Sequence, residues 1–247
     1  MSEDATLKVF PDAPAVADAL AELFIDTAQT AMADRGAFRV ALSGGNTPRA
    51  AYELLATESF GGQLSWSDIF VYFGDERCVP PDDEQSNYRM ARKAFLDAEP
   101  IPPRNVHRIR GEIDPTAAAA EYAQILRTDM GDLPHFDLVL LGLGPDGHTA
   151  SLFPGSPPDT DDDALVRGVY SESQSMWRVT VTPKVINAAR TVAFAVEGVE
   201  KTAILATVLQ GPRDPTKYPA QIVAPKSGRL VWLVDELAAG MLHKKGL

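Results

Sequence analysis

Short runs rich in apolar residues alternate with longer amphipathic segments along almost the whole chain. The runs are flanked by glycine or polar residues and predict strands buried on both faces, as in a parallel sheet covered by helices. The predicted strands cover residues 7–10, 38–42, 69–73, 106–109, 137–142, 166–170, 178–182, 191–196 and 230–234.

The segments between these strands carry the helical signals. Helices are predicted over residues 14–33, 48–56, 86–97, 115–130 and 197–209, with short helices beginning at residues 183 and 235. Regular alternation of strands and helices is typical of an α/β fold with a doubly wound, mostly parallel sheet. No internal repeat or linker interrupts the pattern, so we expect one domain spanning residues 1–247.

One strand runs directly into a glycine-rich segment, and residues 136–155 read FDLVLLGLGPDGHTASLFPG. Ligands of open α/β sheets bind beyond the carboxyl ends of the strands, which is where Asp146 and His148 follow. An imidazole there can exchange protons near neutral pH. The pattern also fits a structural role, in which His148 caps a helix and Asp146 holds the loop.

A second glycine-containing loop, at residues 43–47, joins a predicted strand to a predicted helix. Its Gly44 and Gly45 amides, with the hydroxyls of Ser43 and Thr47, are suited to a small phosphate at a helix N-terminus. The loop lacks the Gly-Lys-Ser/Thr ending of a nucleotide P-loop. A tight turn capped by Ser43 or Thr47 is the structural alternative.

Charged residues that follow other strands are further candidates. Asp75 and Arg77 come after the strand at 69–73, and Arg77 can grip a phosphate or carboxylate with two hydrogen bonds. An internal ion pair of Arg77 with Asp75 or Glu76 is the alternative. Lys201, near the start of the helix at 197–209, can reach a phosphate or simply be solvated.

The net charge of −11 argues against nucleic acid and anionic membranes as partners, because both are bound chiefly through basic patches. An anionic ligand would then need a local excess of positive charge. The only cysteine, Cys78, excludes an internal disulfide, and the N-terminus has no signal-peptide pattern. We therefore expect a cytoplasmic protein.

Several chemistries have no support in the sequence. No cluster has metal-ligand spacing, Ser151 lacks the GxSxG context of serine esterases, and Cys78 has no CxxC partner. The remaining histidines, at positions 107, 135 and 243, lie in contexts that suggest no catalytic role. The Pro/Asp-rich segment at residues 154–163 is expected to form an exposed loop.

Taken together, these segments resemble the 6-phosphogluconolactonase family. The resemblance is carried by LSGGNTP at 42–48, GDERCVP at 74–80, QSNYRMA at 85–91, GLGPDGHTASLFPG at 142–155, the segment at 178–183 with its helix, and EGVEK at 197–201. These motifs occur in the family's order and span nearly the whole chain. The resemblance implies the fold shared with glucosamine-6-phosphate deaminases and, more distantly, ribose-5-phosphate isomerases.

The resemblance implies hydrolysis of 6-phospho-D-glucono-1,5-lactone without cofactor or metal. His148 is expected to act as general base, oriented by Asp146, with Ser43, Gly44, Gly45, Thr47, Asp75 and Lys201 binding the substrate. Arg77 would serve either the phosphate or the lactone carbonyl. We expect a monomer or weak homodimer. Whether the loop at 154–163 closes over substrate is left open.

Two other functions follow from the same resemblance. The related deaminases have a glutamate five positions after the histidine and a tyrosine after the Asp-Glu pair, whereas this chain has Phe153 and Arg77. Both differences favour lactone hydrolysis over aldose–ketose chemistry. A sugar-phosphate sensor is the non-enzymatic alternative, and the sequence offers no room for a DNA-binding segment ahead of residue 7.

Overall fold

In a computed structural model of the chain, which describes residues 5–155 and 163–243, six parallel strands form the main sheet. In spatial order the strands are β1 (Ala5–Phe10), β9 (Arg229–Asp235), β8 (Thr191–Val196), β5 (Leu138–Leu141), β2 (Phe38–Leu42) and β3 (Ile69–Phe73). Every neighbouring pair is parallel. This confirms the predicted fold class.

Helices cover both faces of this sheet. They are α1 (Ala13–Arg35), α2 (Asn46–Leu55), α3 (Glu58–Gly61), α4 (Asn87–Ala91), α5 (Pro115–Met130), α6 (Pro183–Ile186) and α7 (Thr202–Gln210). Phe38 of β2 packs edge-on against Phe24 of α1, while Tyr72 of β3 donates a hydrogen bond to Asp129 of α5. Since Phe38 pairs with Ile69 and side chains alternate along a strand, these contacts lie on opposite faces.

The helix boundaries follow from local chemistry. The Asp12 carboxylate accepts a hydrogen bond from the Ala15 amide at the start of α1, and Gly36 ends that helix in the left-handed conformation. Ser86 caps α4, which continues as a π-helical turn over Arg92–Leu96. None of the helices in the described part of the chain is long and apolar enough to cross a membrane.

A second, three-stranded antiparallel sheet was not predicted. It consists of β4 (Asp75–Arg77), β7 (Met176–Val181) and β6 (Val166–Ser171), in that order. The strands predicted at 166–170 and 178–182 therefore do not join the main sheet. They are joined by a short turn, in which the Ser175 amide donates to the Glu172 carbonyl, and parallel neighbours need a much longer crossover.

The segment that follows α4 differs from its prediction at residues 106–109. The strand predicted at residues 106–109 is wrong, because only Val106 forms a bridge, to Val71, and a 3₁₀ turn at Pro103–Asn105 precedes it. The exposed loop predicted at 154–163 falls largely on residues 156–162, which lie outside the described residues.

Candidate active site

The candidate site lies where the order of the main sheet reverses. Strands β2 and β5 are neighbours, but the chain goes on from β2 to β3 on one side and from β5 to β8 on the other. Such switch points leave a crevice beyond the carboxyl ends of the strands, because the two connections diverge. The glycine-containing segments after β2 and after β5 both open into this crevice.

The crevice contains a cavity of about 240 Å³. Its wall is formed by Ser43, Gly44, Gly45, Asp75, Arg77, Asn87, Gly142, Leu143, Gly144, Pro145, His148, Ala150, Phe153, Gln174, Arg178 and Lys201. Seven of the nine residues predicted for the site are therefore brought together. The other two are Asp146, which lies behind His148, and Thr47, which is buried in the first turn of α2.

His148 and Asp146 form a hydrogen-bonded pair. The distance from Nδ1 of His148 to Oδ1 of Asp146 is 2.5 Å, and the same carboxylate oxygen accepts the backbone amide of His148 at 3.1 Å. Burial acts to raise the pKa of Asp146, but the interactions with His148, the hydrogen bond from the His148 amide first among them, outweigh burial and hold that pKa below its usual range. An ionised Asp146 fixes the proton on Nδ1, which leaves Nε2 of His148 as an acceptor.

The backbone beside His148 has to be glycine. A Cβ atom at Gly144 would lie 2.1 Å from Nδ1 of the imidazole, so any side chain there would push the ring away. The Gly144 amide also donates to the His148 carbonyl at 2.8 Å. The ring also contacts Phe153, with ring centroids 5.0 Å apart. The imidazole is thus positioned by the loop backbone and by an aromatic ring.

The loop after β2 contributes backbone amides without internal hydrogen-bond partners, among the described residues, to the cavity wall. The Ser43 amide is not among them, since it donates to the hydroxyl of Tyr52, and the Ser43 hydroxyl donates to the Gly44 carbonyl. The amides of Gly44 and Gly45 have no hydrogen-bond partner within the described ranges. Gly44 is also required sterically, because a Cβ there would lie 2.1 Å from Oδ1 of Asn87.

Asp75 is buried at the floor of the cavity. Its carboxylate accepts hydrogen bonds from the Ser151 hydroxyl at 2.6 Å and from Nδ2 of Asn87 at 3.2 Å. One guanidinium nitrogen of Arg178 lies 3.7 Å from the same carboxylate. With so many internal partners, Asp75 has an evident role in holding these side chains in place.

Arg178 was not among the predicted site residues. It is buried in β7, opposite Arg77 of β4, and also hydrogen-bonds to Gln174. Burial lowers its pKa and Arg77 lowers it further, while Asp75 acts in the opposite direction; an arginine nevertheless stays charged in a protein. The signal in the sequence was a lone charge at the first position of a predicted strand, since a charge that becomes buried requires partners.

In the part of the chain that the structure describes, Arg77 forms no ion pair with Asp75 or Glu76. Its guanidinium donates to the backbone carbonyl of Gln85, and its buried Nε has no partner in the described part of the chain. Together with Arg178 and Lys201 it gives the cavity wall three cationic side chains against one carboxylate, that of Asp75. The site is therefore locally positive in a chain of net charge −11.

Glu76 lies beneath the cavity and holds two of its walls together. Its buried carboxylate accepts the amides of Arg77, Asn87 and Tyr88 at 2.7–2.8 Å and the Ser86 hydroxyl at 3.0 Å. Burial raises the pKa of Glu76, although the three amides act to lower it. Glu76 thereby joins β4 to the start of α4.

Replacing Glu76 with glutamine is expected to lower the free energy of unfolding by about 1–3 kcal/mol, because an NH₂ group would face buried N–H donors. The KM for the phosphorylated lactone that the resemblance implies should rise as well. Glu76 accepts the amides of Arg77 and Asn87, and both residues line the cavity. Denaturant unfolding and steady-state kinetics measure the two effects. The control Glu53→Gln removes only an exposed ion pair with Arg49 and should change neither. Wild-type stability and KM in Glu76→Gln would contradict this role.

Among the described residues, no group of three or more histidine, cysteine, aspartate or glutamate side chains is placed to hold a metal ion. The Cys78 thiol is half-buried and lies outside the cavity wall. Burial and the charge of Glu76 raise its pKa to about 11, which keeps it protonated at neutral pH. The charged and titratable side chains on or behind the cavity wall include His148 with Asp146, Asp75 and the three cations.

Comparison with known proteins gives matches over nearly the whole chain. Residues 11–232 match the family described as glucosamine-6-phosphate isomerases/6-phosphogluconolactonase. A 6-phosphogluconolactonase of Synechocystis is 44% identical over 223 residues, which cover 86% of this chain and 88% of the relative. One from Nostoc is 39% identical over 242 residues, covering 96% and 98%. The structure of 6-phosphogluconolactonase from Trypanosoma cruzi superposes with a TM-score of 0.87 at 28% identity, covering 98% of each chain.

Proposed function

The chain belongs to the family of glucosamine-6-phosphate isomerases and 6-phosphogluconolactonases, and we propose that it hydrolyses 6-phospho-D-glucono-1,5-lactone to 6-phosphogluconate. This reaction is the second step of the oxidative pentose phosphate pathway. The observation that carries the proposal is the pair of His148 and Asp146, 2.5 Å apart, opening into a cavity lined by three cations. A base beside a positive cavity suits attack of water on a phosphorylated lactone.

In the proposed reaction, Nε2 of His148 takes a proton from water as the water oxygen attacks C1 of the lactone. The tetrahedral intermediate then collapses, the bond between C1 and the ring oxygen breaks, and the imidazolium returns its proton to that oxygen. Asp146 holds Nδ1 and stabilises the transient imidazolium. General acid–base catalysis of this kind contributes about 10²–10⁴-fold to the rate.

The phosphate group is proposed to bind the free amides of Gly44 and Gly45 together with Lys201 and Arg178. Amides at a helix N-terminus and a bidentate guanidinium are both suited to phosphate oxygens. Arg77 faces the same cavity from the neighbouring strand. We assign it to the carbonyl oxygen of the lactone, where charge develops in the transition state.

The proposal is tested by following acid release from freshly generated 6-phosphogluconolactone, with a no-enzyme control because the lactone also hydrolyses spontaneously. We expect strong acceleration of the phosphorylated lactone and much weaker acceleration of unphosphorylated gluconolactone. Glucosamine 6-phosphate should release no ammonia, because Phe153 offers His148 no acid–base group. A rate equal to the control would overturn the proposal, and ammonia release would favour the deaminase alternative.

Replacing Lys201 with alanine is expected to raise KM by about ten- to hundredfold with little change in kcat. The loss corresponds to one charged hydrogen bond to phosphate, about 1.5–3 kcal/mol. Lysine 201 lines the cavity at the start of α7, whereas the control Lys93→Ala alters an exposed side chain outside it. An unchanged KM in Lys201→Ala would remove this residue from the phosphate site.

We further propose that the enzyme works in the cytoplasm as a monomer or weak homodimer. One chain already supplies the His148–Asp146 pair and the three cations of the cavity wall, which supports activity as a monomer. Analytical ultracentrifugation at assay concentrations tests the proposed oligomeric state. An activity that appears only in a stable oligomer would contradict that state.

A further inference from the structure

A second cavity lies at the opposite edge of the main sheet, where the strands begin. The Arg190 amide, just ahead of β8, donates to the carbonyl of Phe136, just ahead of β5. The cavity has a volume of about 510 Å³. The amino-edge groove, as we call it, is lined by Leu133, His135, Pro183, Lys184, Asn187, Ala188, Ala189, Arg190, Lys226 and Ser227. It shares no residue with the candidate active site.

The amino-edge groove carries more positive than negative charge. Its cations are Lys184, Arg190 and Lys226, and none of the described residues that line it is acidic. Nε of Arg190 lies 3.5 Å from the buried Asp137, but that carboxylate is also bound by Arg35 at 3.0 Å. This leaves most of the Arg190 guanidinium available to a ligand.

Within the described ranges, the two lysines Lys184 and Lys226 have one carboxylate partner between them. Lys184 pairs at 2.9 Å with Asp163, whose side chain is fully exposed, so solvent screens that pair strongly. Lys226 is exposed and has no carboxylate within ion-pair distance in the described part of the chain. Three cations converging on one cavity in a chain of net charge −11 favour a multiply charged anion.

The uncharged part of the wall combines the apolar residues Leu133, Pro183, Ala188 and Ala189 with the polar Asn187 and Ser227. A sugar phosphate, with hydroxyls on every side, would leave the apolar part of this surface poorly matched. A ligand with a flat, weakly polar ring beside its phosphates would cover it, because small-molecule sites combine an apolar wall with a few placed charges. The imidazole of His135, held by a 2.8 Å hydrogen bond between Nδ1 and the Ala188 carbonyl, adds a ring for stacking.

We propose that the amino-edge groove is a second ligand site, which binds a nucleoside di- or triphosphate through Lys226, Arg190 and Lys184. The phosphates lie on these cations and the base lies against the apolar wall beside His135. The site is independent of the proposed catalytic function, since it lies at the other end of the strands.

The four histidines of the chain provide a direct test, because His135 lies in the amino-edge groove and His148 in the candidate active site. ADP is titrated into the ¹⁵N-labelled protein without added metal and with saturating 6-phosphogluconate. We expect the ring signals of His135 to shift with saturation while those of His148 stay unchanged. Absence of any shift at millimolar ADP, or a shift at His148 alone, would overturn the proposal.

Two matched charge-reversal variants test whether ADP binds in the amino-edge groove. Lys226→Glu should weaken ADP binding at least tenfold, whereas Lys8→Glu, which reverses an exposed lysine on β1, should change it less than twofold. Both variants should keep wild-type turnover of the lactone. Equal affinity in the two variants would overturn the assignment. Inorganic pyrophosphate should bind more weakly than ADP, and equal affinity would overturn the role of the apolar wall and leave a simple anion site.

Discussion

His148→Ala is expected to lower kcat for the phosphorylated lactone by about 10²–10⁴-fold, the usual contribution of a general base. Among the described residues of the cavity wall, His148 is the only histidine, and its Nδ1 is hydrogen-bonded to Asp146. Its removal leaves the cations and the free amides of Gly44 and Gly45 in place. Binding of 6-phosphogluconate should therefore change little, and calorimetry on the variant measures that separately from turnover.

Two further variants show whether the loss belongs to the proton transfer. Asp146→Asn should also reduce kcat, but by less, because Nε2 keeps its place while the proton on Nδ1 is no longer held by a charge. His243→Ala alters an exposed residue outside the cavity and should behave as wild type. A His148→Ala enzyme with near-wild-type kcat, after subtraction of spontaneous hydrolysis, would exclude His148 as the base.

The pKa of Asp146 determines how this pair responds to acid. Because the folded-state pKa lies below the ordinary value, Asp146 stays ionised through the neutral and mildly acidic range. Its hold on the Nδ1 proton is lost only as the pH falls through that depressed pKa. The Asp146→Asn variant should consequently show its deficit at every pH in the neutral range.

The parts of the site that could be predicted from the sequence are those set by a single strand and its following loop. A buried strand that ends in glycine places the next polar side chains at the carboxyl edge of the sheet, and Ser43, Gly44 and His148 line the cavity at that edge. That inference needs only the sequence of one strand and of the loop that follows it.

The parts that could not be predicted depend on contacts between distant segments. Arg178 enters the cavity because β7 pairs with β4, so that it faces Arg77 about a hundred residues earlier in the chain. Strands of five or six residues carry too little periodicity to show which sheet they join. Gln174, in the turn between β6 and β7, was missed for the same reason.

The small antiparallel sheet has a consequence for the proposed chemistry. It extends the carboxyl edge of β3, since the amides of Gly74 and Val181 donate to the carbonyls of Leu42 and Gly74. The sheet thus brings Arg77 and Arg178 side by side over the cavity. Two adjacent guanidinium groups repel each other, and the phosphate proposed to bind Arg178, with the negative charge that develops beside Arg77 in the transition state, would relieve that repulsion.

Arg178→Met is expected to have two large effects, one on binding and one on stability. Loss of a charged contact to phosphate should raise KM by about ten- to hundredfold. Removal of the guanidinium also leaves the buried Asp75 without its nearest cation, 3.7 Å away, and breaking a buried ion pair costs about 3–5 kcal/mol. The hydrogen bonds from Ser151 and Asn87 to Asp75 remain, so we expect a loss of unfolding free energy at the lower end of that range.

A double-mutant cycle separates the two effects. Asp75→Asn in the Arg178→Met background removes the uncompensated carboxylate, so the double variant should be more stable than the sum of the single losses predicts. Its KM should stay high, because the phosphate contact is still absent. Arg49→Met, which loses only an exposed pair with Glu53, serves as the control and should change neither quantity. If Arg178→Met raised KM no more than this control does, the phosphate would have to bind through Lys201 and the loop amides without Arg178.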